Sequence, residues 1–302
     1  MMESREMKLG TLYTFSAYLL WGFLTMYWKL LDHVNPMETL AHRIVWSFIF
    51  MIALLLTIKQ FRSFLHTCRN LLRNPKDLLA IAAASILIST NWFLFIWAVA
   101  NGYVLQASLG YYINPLMSIF LGIVVLREQV TMRQGFAFLL CAISVLYLSV
   151  SSGVFPWVSL ALATSFAIYG LLKKKINISS THGLTIETML VTPIAAGYLF
   201  LLPRQAFTLS SAISGTNLLL IGAGIATAIP LLLFANGAKA IPLSMVGILQ
   251  FITPTIMLFL GVFVYHEAFS IEKFIAFLFI WFALILYLSS VYHHPAKRQA
   301  NT

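Results

Sequence analysis

Glu38 and His42 stand four residues apart in METLAHRIVWS, and so do Thr39 and Arg43. On a helix that spacing places each pair on one face. A carboxylate beside an imidazole can carry a proton, because His titrates nearest to neutral pH. Lys29 lies a short stretch earlier, so Lys29, His42 and Arg43 gather around the Glu38 carboxylate. Such a cluster attracts anionic or zwitterionic solutes. The alternative is an ion-pair network that only orients helices, with Lys29 and Arg43 reaching along apolar surface to water. Glu187-Thr188 repeats the Glu38-Thr39 pair in the second half of the chain. Glu38, His42 and Glu187 are therefore the candidates for proton coupling.

A second group surrounds two prolines. INPLMSIFLG, residues 113–122, places Asn114 and Pro115 inside an apolar run, and ITPTIMLFLG places Thr253 and Pro254 in another. A helical proline has no N–H to give and frees the carbonyl four residues back. Those carbonyls belong to Tyr111 and Gln250. In hydrocarbon an unsatisfied carbonyl costs several kcal/mol, so both turns must face protein or a wet cavity. Tyr111, Asn114, Gln250 and Thr253 are thus candidate wall residues of a polar path, with Pro115 and Pro254 as its kinks. A packing kink repaired by a neighbouring hydroxyl is the plainer alternative. Asn91-Trp92 lies midway along another apolar run, as a cavity group or an interhelix clamp.

The elements that must hold these residues follow from composition. The chain has 302 residues, 60% hydrophobic and 9% charged, against about 25% charged in a soluble domain. It cannot coat a globule with solvated groups. Apolar runs of about 20 residues recur, each long enough to cross a bilayer core. The reading is an all-α integral membrane protein with spans near 11–31, 37–58, 78–100, 104–126, 132–150, 155–173, 184–202, 217–236, 242–265 and 271–292. The first run has span length and no small-residue cleavage site, so it reads as a retained helix.

Net charge is +10. Without a basic, aromatic-interleaved domain outside the spans, this charge reflects topology rather than nucleic-acid binding. An N-terminus inside puts Arg5, Lys8, Lys59, Arg62, Arg69, Arg73, Lys76, Arg127, Arg133, Lys173, Lys174, Lys175, Lys239, Lys297 and Arg298 in the cytoplasm. It leaves only Arg204 and Lys273 in outside loops. Cytoplasmic enrichment of Lys and Arg then orients both termini inward, and the Lys173–Lys175 run reads as an orientation signal. Residues 59–77 form a basic loop in which Phe61, Leu65, Cys68 and Leu72 follow helical spacing. That pattern fits an interfacial helix or a frayed extension of the second span.

The two proline turns belong to a duplication. Residues 113–128 laid over 252–267, at a constant offset of 139, align Pro115 with Pro254, Leu121-Gly122 with Leu260-Gly261, and Glu128 with Glu267. Trp21-Gly22 similarly matches Tyr169-Gly170. Two units of five spans, 10–150 and 154–292, result. An odd span number inverts the second unit, as in many secondary transporters. Glu128 and Glu267 oppose the helix dipole where their spans end, so each serves a following helix start. Thr131 and Gln134 form a capping-box pattern there.

Several classes of chemistry have no support. There is no GxxxxGK[ST], HExxH or GxSxG. Cys68 and Cys141 have no zinc spacing and lie too far apart in kind, loop against span, to pair. No cofactor, metal or enzymatic activity is expected.

METLAHRIVWSF (37–48), NWFLFIWAV (91–99), ASLGYYINPL (107–116) and YGLLKKKI (169–176) resemble the RarD-type permeases of the EamA family, within the drug/metabolite transporter superfamily. The resemblance covers residues 10–292. It implies a bacterial inner-membrane carrier of ten spans in a five-plus-five inverted repeat. It also implies a secondary transporter exporting small metabolites or drugs such as amino-acid-like solutes or chloramphenicol. The partners would be the solute, the bilayer and a coupling proton. A membrane sensor or assembly partner, and a lipid-linked solute translocator of the same fold, are the competing readings.

Overall fold

The computed structural model describes residues 2–101, 103–151, 155–203, 205–208, 214–266 and 271–293. Among them every regular element is helical: α1 Met2–Lys29, α2 Pro36–Thr57, α3 Phe61–Arg73, α4 Pro75–Ala100, α5 Val104–Val124 and α6 Met132–Ser151. The second half adds α7 Trp157–Lys175, α8 Ser180–Leu201, α9 Gly215–Ala240, α10 Leu243–Gln250, α11 Ile252–Phe259, a π-helical turn Leu260–Val264 and α12 Ile271–His293. Seven described stretches are long and apolar enough to cross a membrane: α2, α4, α5, α6, α8, α9 and the composite Leu243–Val264. Of the other three expected spans, α1 and α7 have 28 and 19 residues, and α12 contains the shorter apolar stretch Phe274–Ser290.

Local chemistry sets the helix starts. Asn35 Oδ1 accepts from Met37 N at 2.9 Å, and Pro36 takes the first helical position of α2, where its missing N–H costs nothing. Ser179 and Ser214 cap α8 and α9 through their hydroxyls. The capping box before α6 closes reciprocally: Thr131 N donates to Gln134 Oε1 at 3.0 Å and Gln134 N to Thr131 Oγ1 at 3.3 Å. Within the helices, Thr14, Ser85, Thr188 and Thr227 return their hydroxyls to carbonyls of the preceding turn. No polar side chain of this set asks for water in the apolar interior.

Glycines let helices approach. A Cβ on Gly237 of α9 would overlap Thr14 of α1, and one on Gly224 would overlap the Trp46 backbone of α2. Ser47 Oγ donates to Gly224 O at 2.9 Å at that crossing. Small residues replacing bulk is how membrane helices gain contact where lipid removes the hydrophobic driving force.

Element contacts come in matching sets. α5 packs on α7 and α11 on α1; α4 packs on α7 and α9 on α1; α4 packs on α8 and α9 on α2. α2 with α8, α5 with α10, and α6 with α12 join elements that the sequence repeat pairs with each other. Helix ends match too. Leu126 N donates to Leu121 O at 3.2 Å, and Tyr265 N to Leu260 O at 3.0 Å. Arg127 and His266 follow, both at φ 53°. The offset of 139 carries each member of these pairs onto the other. Glu267, next in line, lies outside the described residues.

The two proline segments differ. α5 runs through Pro115 without interruption. Only the second proline segment divides, at Phe251 between α10 and α11, and it ends in the π turn. The basic loop is helical, and its apolar residues fall on two faces, one buried and one exposed. Phe64 and Leu71 are the buried residues of α3, whereas Leu65 and Leu72 are exposed.

Candidate functional site

A cavity of about 480 Å³ lies between α1, α2, α4, α5, α7, α9 and the α10–α11 junction. This is within the usual volume range of small-molecule sites. Its mouth lies at the α1–α2 connection, where Asp32 and Pro36 are exposed. Its walls include the rings of Tyr18, Trp21, Trp28, Trp92, Phe95, Tyr111 and Phe166.

Its floor is polar and buried. Tyr18 Oη donates to Gln250 Oε1 at 3.4 Å, and Thr253 Oγ1 donates to the Tyr18 carbonyl at 2.8 Å. Gln250 and Thr253, three residues apart across the α10–α11 junction, both face the cavity. Asn114 Oδ1 is buried with no hydrogen-bond partner, and so is Thr39 Oγ1. Both residues line the cavity. A buried acceptor left unmade is costly.

Arg43 is the cation of this wall. Its Nε donates to Thr227 Oγ1 at 3.0 Å. The rings of Trp28 and Trp92 lie 4.3 and 5.0 Å from its guanidinium carbon, close enough for cation–π attraction to offset part of its desolvation. Asn91, beside Trp92, donates to Leu162 O and Ser165 Oγ, both at 2.8 Å. It clamps α4 to α7 and also faces the cavity.

Beneath the floor the bundle is closed. Tyr18, Trp21, Phe166, Tyr169 and Phe234 form a continuous aromatic cluster with ring centroids 5.3–6.1 Å apart. Beyond it, Lys173 Nζ meets Glu187 Oε1 at 2.7 Å, and Tyr169 Oη donates to Glu187 Oε2 at 3.1 Å. Lys173 is therefore a buried ion-pair partner. Lys174 Nζ donates to Ile241 O at 2.5 Å, and Lys239 donates to Ile178 O. Glu128 takes Leu243 N at 2.6 Å and Ser244 N at 2.9 Å, and so caps α10 rather than the helix that follows it in sequence.

Arg43, Asn91, Trp92, Tyr111, Asn114, Gln250 and Thr253 thus come together around one cavity. Lys29, Glu38 and His42 do not line it. Lys29 Nζ sits 3.6 Å from the centre of the Tyr265 ring. Glu38 is buried and accepts from Ala206 N at 2.6 Å, which ties α2 to the segment after α8. His42 Nε2 is 3.9 Å from Glu38 and its ring packs on Phe207. Glu187 is on the far side of the aromatic cluster. Tyr18, Trp28 and Asp32 are wall residues that the charge and proline arguments passed over. The pairing of Trp21-Gly22 with Tyr169-Gly170 was the available signal for the aromatic layer.

An all-helical membrane protein with an aromatic-walled cavity open at one end defines a class of solute-handling proteins. The EamA-like transporter family model matches residues 8–150. "Uncharacterized transporter YojE" of Bacillus subtilis is 47% identical, covering 96% of this chain and 96% of its own. "Protein RarD" of Escherichia coli is 41% identical over 95% of this chain and 96% of its own. "Chloramphenicol-sensitive protein RarD" of Pseudomonas aeruginosa is 27% identical over 92% of each chain. A protein crystal structure matches with TM-score 0.71 at 17% identity, over 92% of this chain and 95% of its own, a likeness of fold alone. The chain belongs to the EamA-like transporter family, as a RarD-type member.

Proposed function

We propose that the chain is a secondary transporter that exports small metabolites or drugs, amino-acid-like solutes and chloramphenicol being the first to test. Ten spans in two inverted units of five would exchange access to one cavity between the two membrane faces. The observation that carries this reading is the cavity itself. It reaches solvent beside Asp32 and ends at Tyr18–Gln250, above an aromatic and ionic closure. The mirrored helix contacts and the paired left-handed residues Arg127 and His266 support the inverted repeat.

Both termini face the cytoplasm of a bacterial inner membrane in this reading, so the mouth beside Asp32 faces outward. α3 then lies on the cytoplasmic leaflet. Exposed Leu65 and Leu72 enter the headgroup boundary, while Arg62, Arg69 and Arg73 meet anionic lipid. Coupling to protons rests on Glu38, His42 and Glu187, which are all buried.

Flux of a labelled solute panel through the purified protein in liposomes tests the whole reading. Protein-dependent flux that responds to an imposed pH gradient is expected. No flux for any solute would favour a sensor or assembly role, and flux indifferent to the gradient would remove the proton.

A further inference from the structure

α3 has two working sides. Arg62, Leu65, Arg69 and Leu72 recur at steps of three and four, with Arg73 beside the last. This gathers them on one stripe, and all five are exposed. The helix carries no carboxylate to neutralise its arginines. Cations interleaved with leucines are the composition that an anionic lipid surface takes up.

The other side of α3 reaches the first turn of α8. Thr67 Oγ1 lies 2.9 Å from His182 Nδ1, and the buried Phe64 ring stands edge-on to the imidazole at 5.9 Å. His182 Nε2 is buried without a partner, so Thr67 supplies the polar contact of this ring. Next along α8, Gly183 faces the Lys173 ammonium: a Cβ there would stand 3.5 Å from Nζ. Gly183 and Glu187 are four residues apart and share the face on which Glu187 meets Lys173. One turn of α8 thus touches α3 on one side and leads into the ionic closure on the other. α3 has little freedom of its own. Residues 58–60 link it to α2, with Lys59 at φ 57°, and Asn74 alone links it to α4.

We propose that anionic phospholipid of the cytoplasmic leaflet governs the ionic closure through α3. Lipid phosphates on Arg62, Arg69 and Arg73 fix the helix at the surface. Thr67 and Phe64 hold the His182 turn against it, and that turn keeps Glu187 on Lys173. Opening this end of the cavity parts α8 from α3, so lipid that fixes α3 favours the closed arrangement. This rests on the transporter reading and its orientation, and adds the lipid class that regulates it.

Amide hydrogen exchange of the full chain is compared in nanodiscs of phosphatidylcholine and of phosphatidylcholine mixed with phosphatidylglycerol. In the anionic nanodiscs, residues 61–73 and 180–188 are expected to exchange about tenfold more slowly, since exchange reports local opening. Residues 215–222, at the other end of the bundle, are expected to keep their rate. Replacing Arg62, Arg69 and Arg73 together by Gln is expected to remove both effects. Thr67→Val is expected to keep the effect on 61–73 and lose that on 180–188, which separates lipid binding from its transmission. Equal exchange of 180–188 in the two lipids would overturn the proposal. So would slowing that extends to 215–222, which is general stabilisation by lipid. The wild-type protein alone decides these outcomes, so a variant that fails to fold does not blunt the test. No solute is involved, so the two readings fail separately. The expected exchange with no flux in liposomes would sink transport and leave the lipid-held closure. Flux without the exchange effect would sink the closure and leave the transporter.

Discussion

Gly247 of α10 lies directly over the Pro115 carbonyl of α5: a Cβ there would stand 2.6 Å from that oxygen and 2.8 Å from Ile119 Cγ1. The two proline-bearing segments, which the repeat pairs, therefore cross at a point with no room for a side chain. The obstructing atom is backbone and cannot rotate away. Gly247→Ala is expected to lower stability by about 1–3 kcal/mol, the usual scale of an overpacked core. Gly135→Ala, with nothing within 4 Å of the new Cβ, is expected to be neutral or to stabilise by up to about 1 kcal/mol through helix propensity. Thermal unfolding of both variants in one detergent, followed by size exclusion, compares them. Equal midpoints would show that the crossing is looser than described.

Glu128 accepts both Leu243 N and Ser244 N. These are orphan donors of a helix start, where negative charge is favoured. Glu128→Ala is expected to cost about 0.5–2 kcal/mol, the range for a lost cap. Glu128→Gln should recover part of this, because its carbonyl can still take one donor. An unchanged unfolding midpoint for the alanine variant would mean that water replaces the cap.

Lys173 and Glu187 are both buried and 2.7 Å apart. Removing one partner strands the other, at about 3–5 kcal/mol, whereas replacing both with apolar residues is often neutral. Glu187→Ala should express poorly or unfold early, and Lys173→Met with Glu187→Met should recover most of the loss. The double variant also separates structure from coupling. If Glu187 carries a proton, the refolded variant keeps solute exchange and loses its response to a pH gradient. Retention of that response would exclude Glu187 as the carrier.

Cys68 lies on α3, partly covered, and burial pushes its thiol above the ordinary cysteine range. The thiolate is the reactive form. Maleimide labelling of Cys68 is therefore expected to be slower than that of a free thiol at neutral pH and to accelerate as pH rises through the elevated value. Cys141, buried within α6, should label only after denaturation. In right-side-out vesicles an impermeant maleimide should miss Cys68, since α3 is proposed to lie inside. Labelling from outside would reverse the orientation.

Much of the scaffold could be read along the chain because each helix boundary has a local cause. Charges, Pro36 and the Thr131–Gln134 box placed the ends of α2 and α6 to within a residue or so. The start of α8 and the end of α9 each ran four residues beyond the expected limits, and α1 departed furthest. It begins at Met2, well before its apolar run, because a helix continues through polar residues that still favour it. α3 shows the limit from another side. Its helical spacing and the exposed Leu65 and Leu72 face were legible, but not that Phe64 and Leu71, on a neighbouring face, meet the bundle. A face is chosen by the partner, and the partner was not in that stretch of sequence.

The site divides in the same way. Pro254 and Gln250 could be singled out from the cost of an unsatisfied carbonyl, and the aligned prolines pointed to a shared role. Glu38 and His42 also looked like path residues, since a charge in a span demands a reason. The reason the structure supplies is Ala206 N, 168 residues away from Glu38.

By itself the sequence determined a membrane-embedded all-helical chain. Apolar length, charge placement and proline position are one-dimensional quantities that act locally. Only the tertiary structure decided which polar groups share a cavity and which neutralise one another. Arg43 with Trp28 and Trp92, Asn114 without a donor, and Lys173 against Glu187 are outcomes of how helices cross. Hydrogen bonds and ion pairs act over a few ångströms, so their partners are fixed by packing and not by distance along the chain.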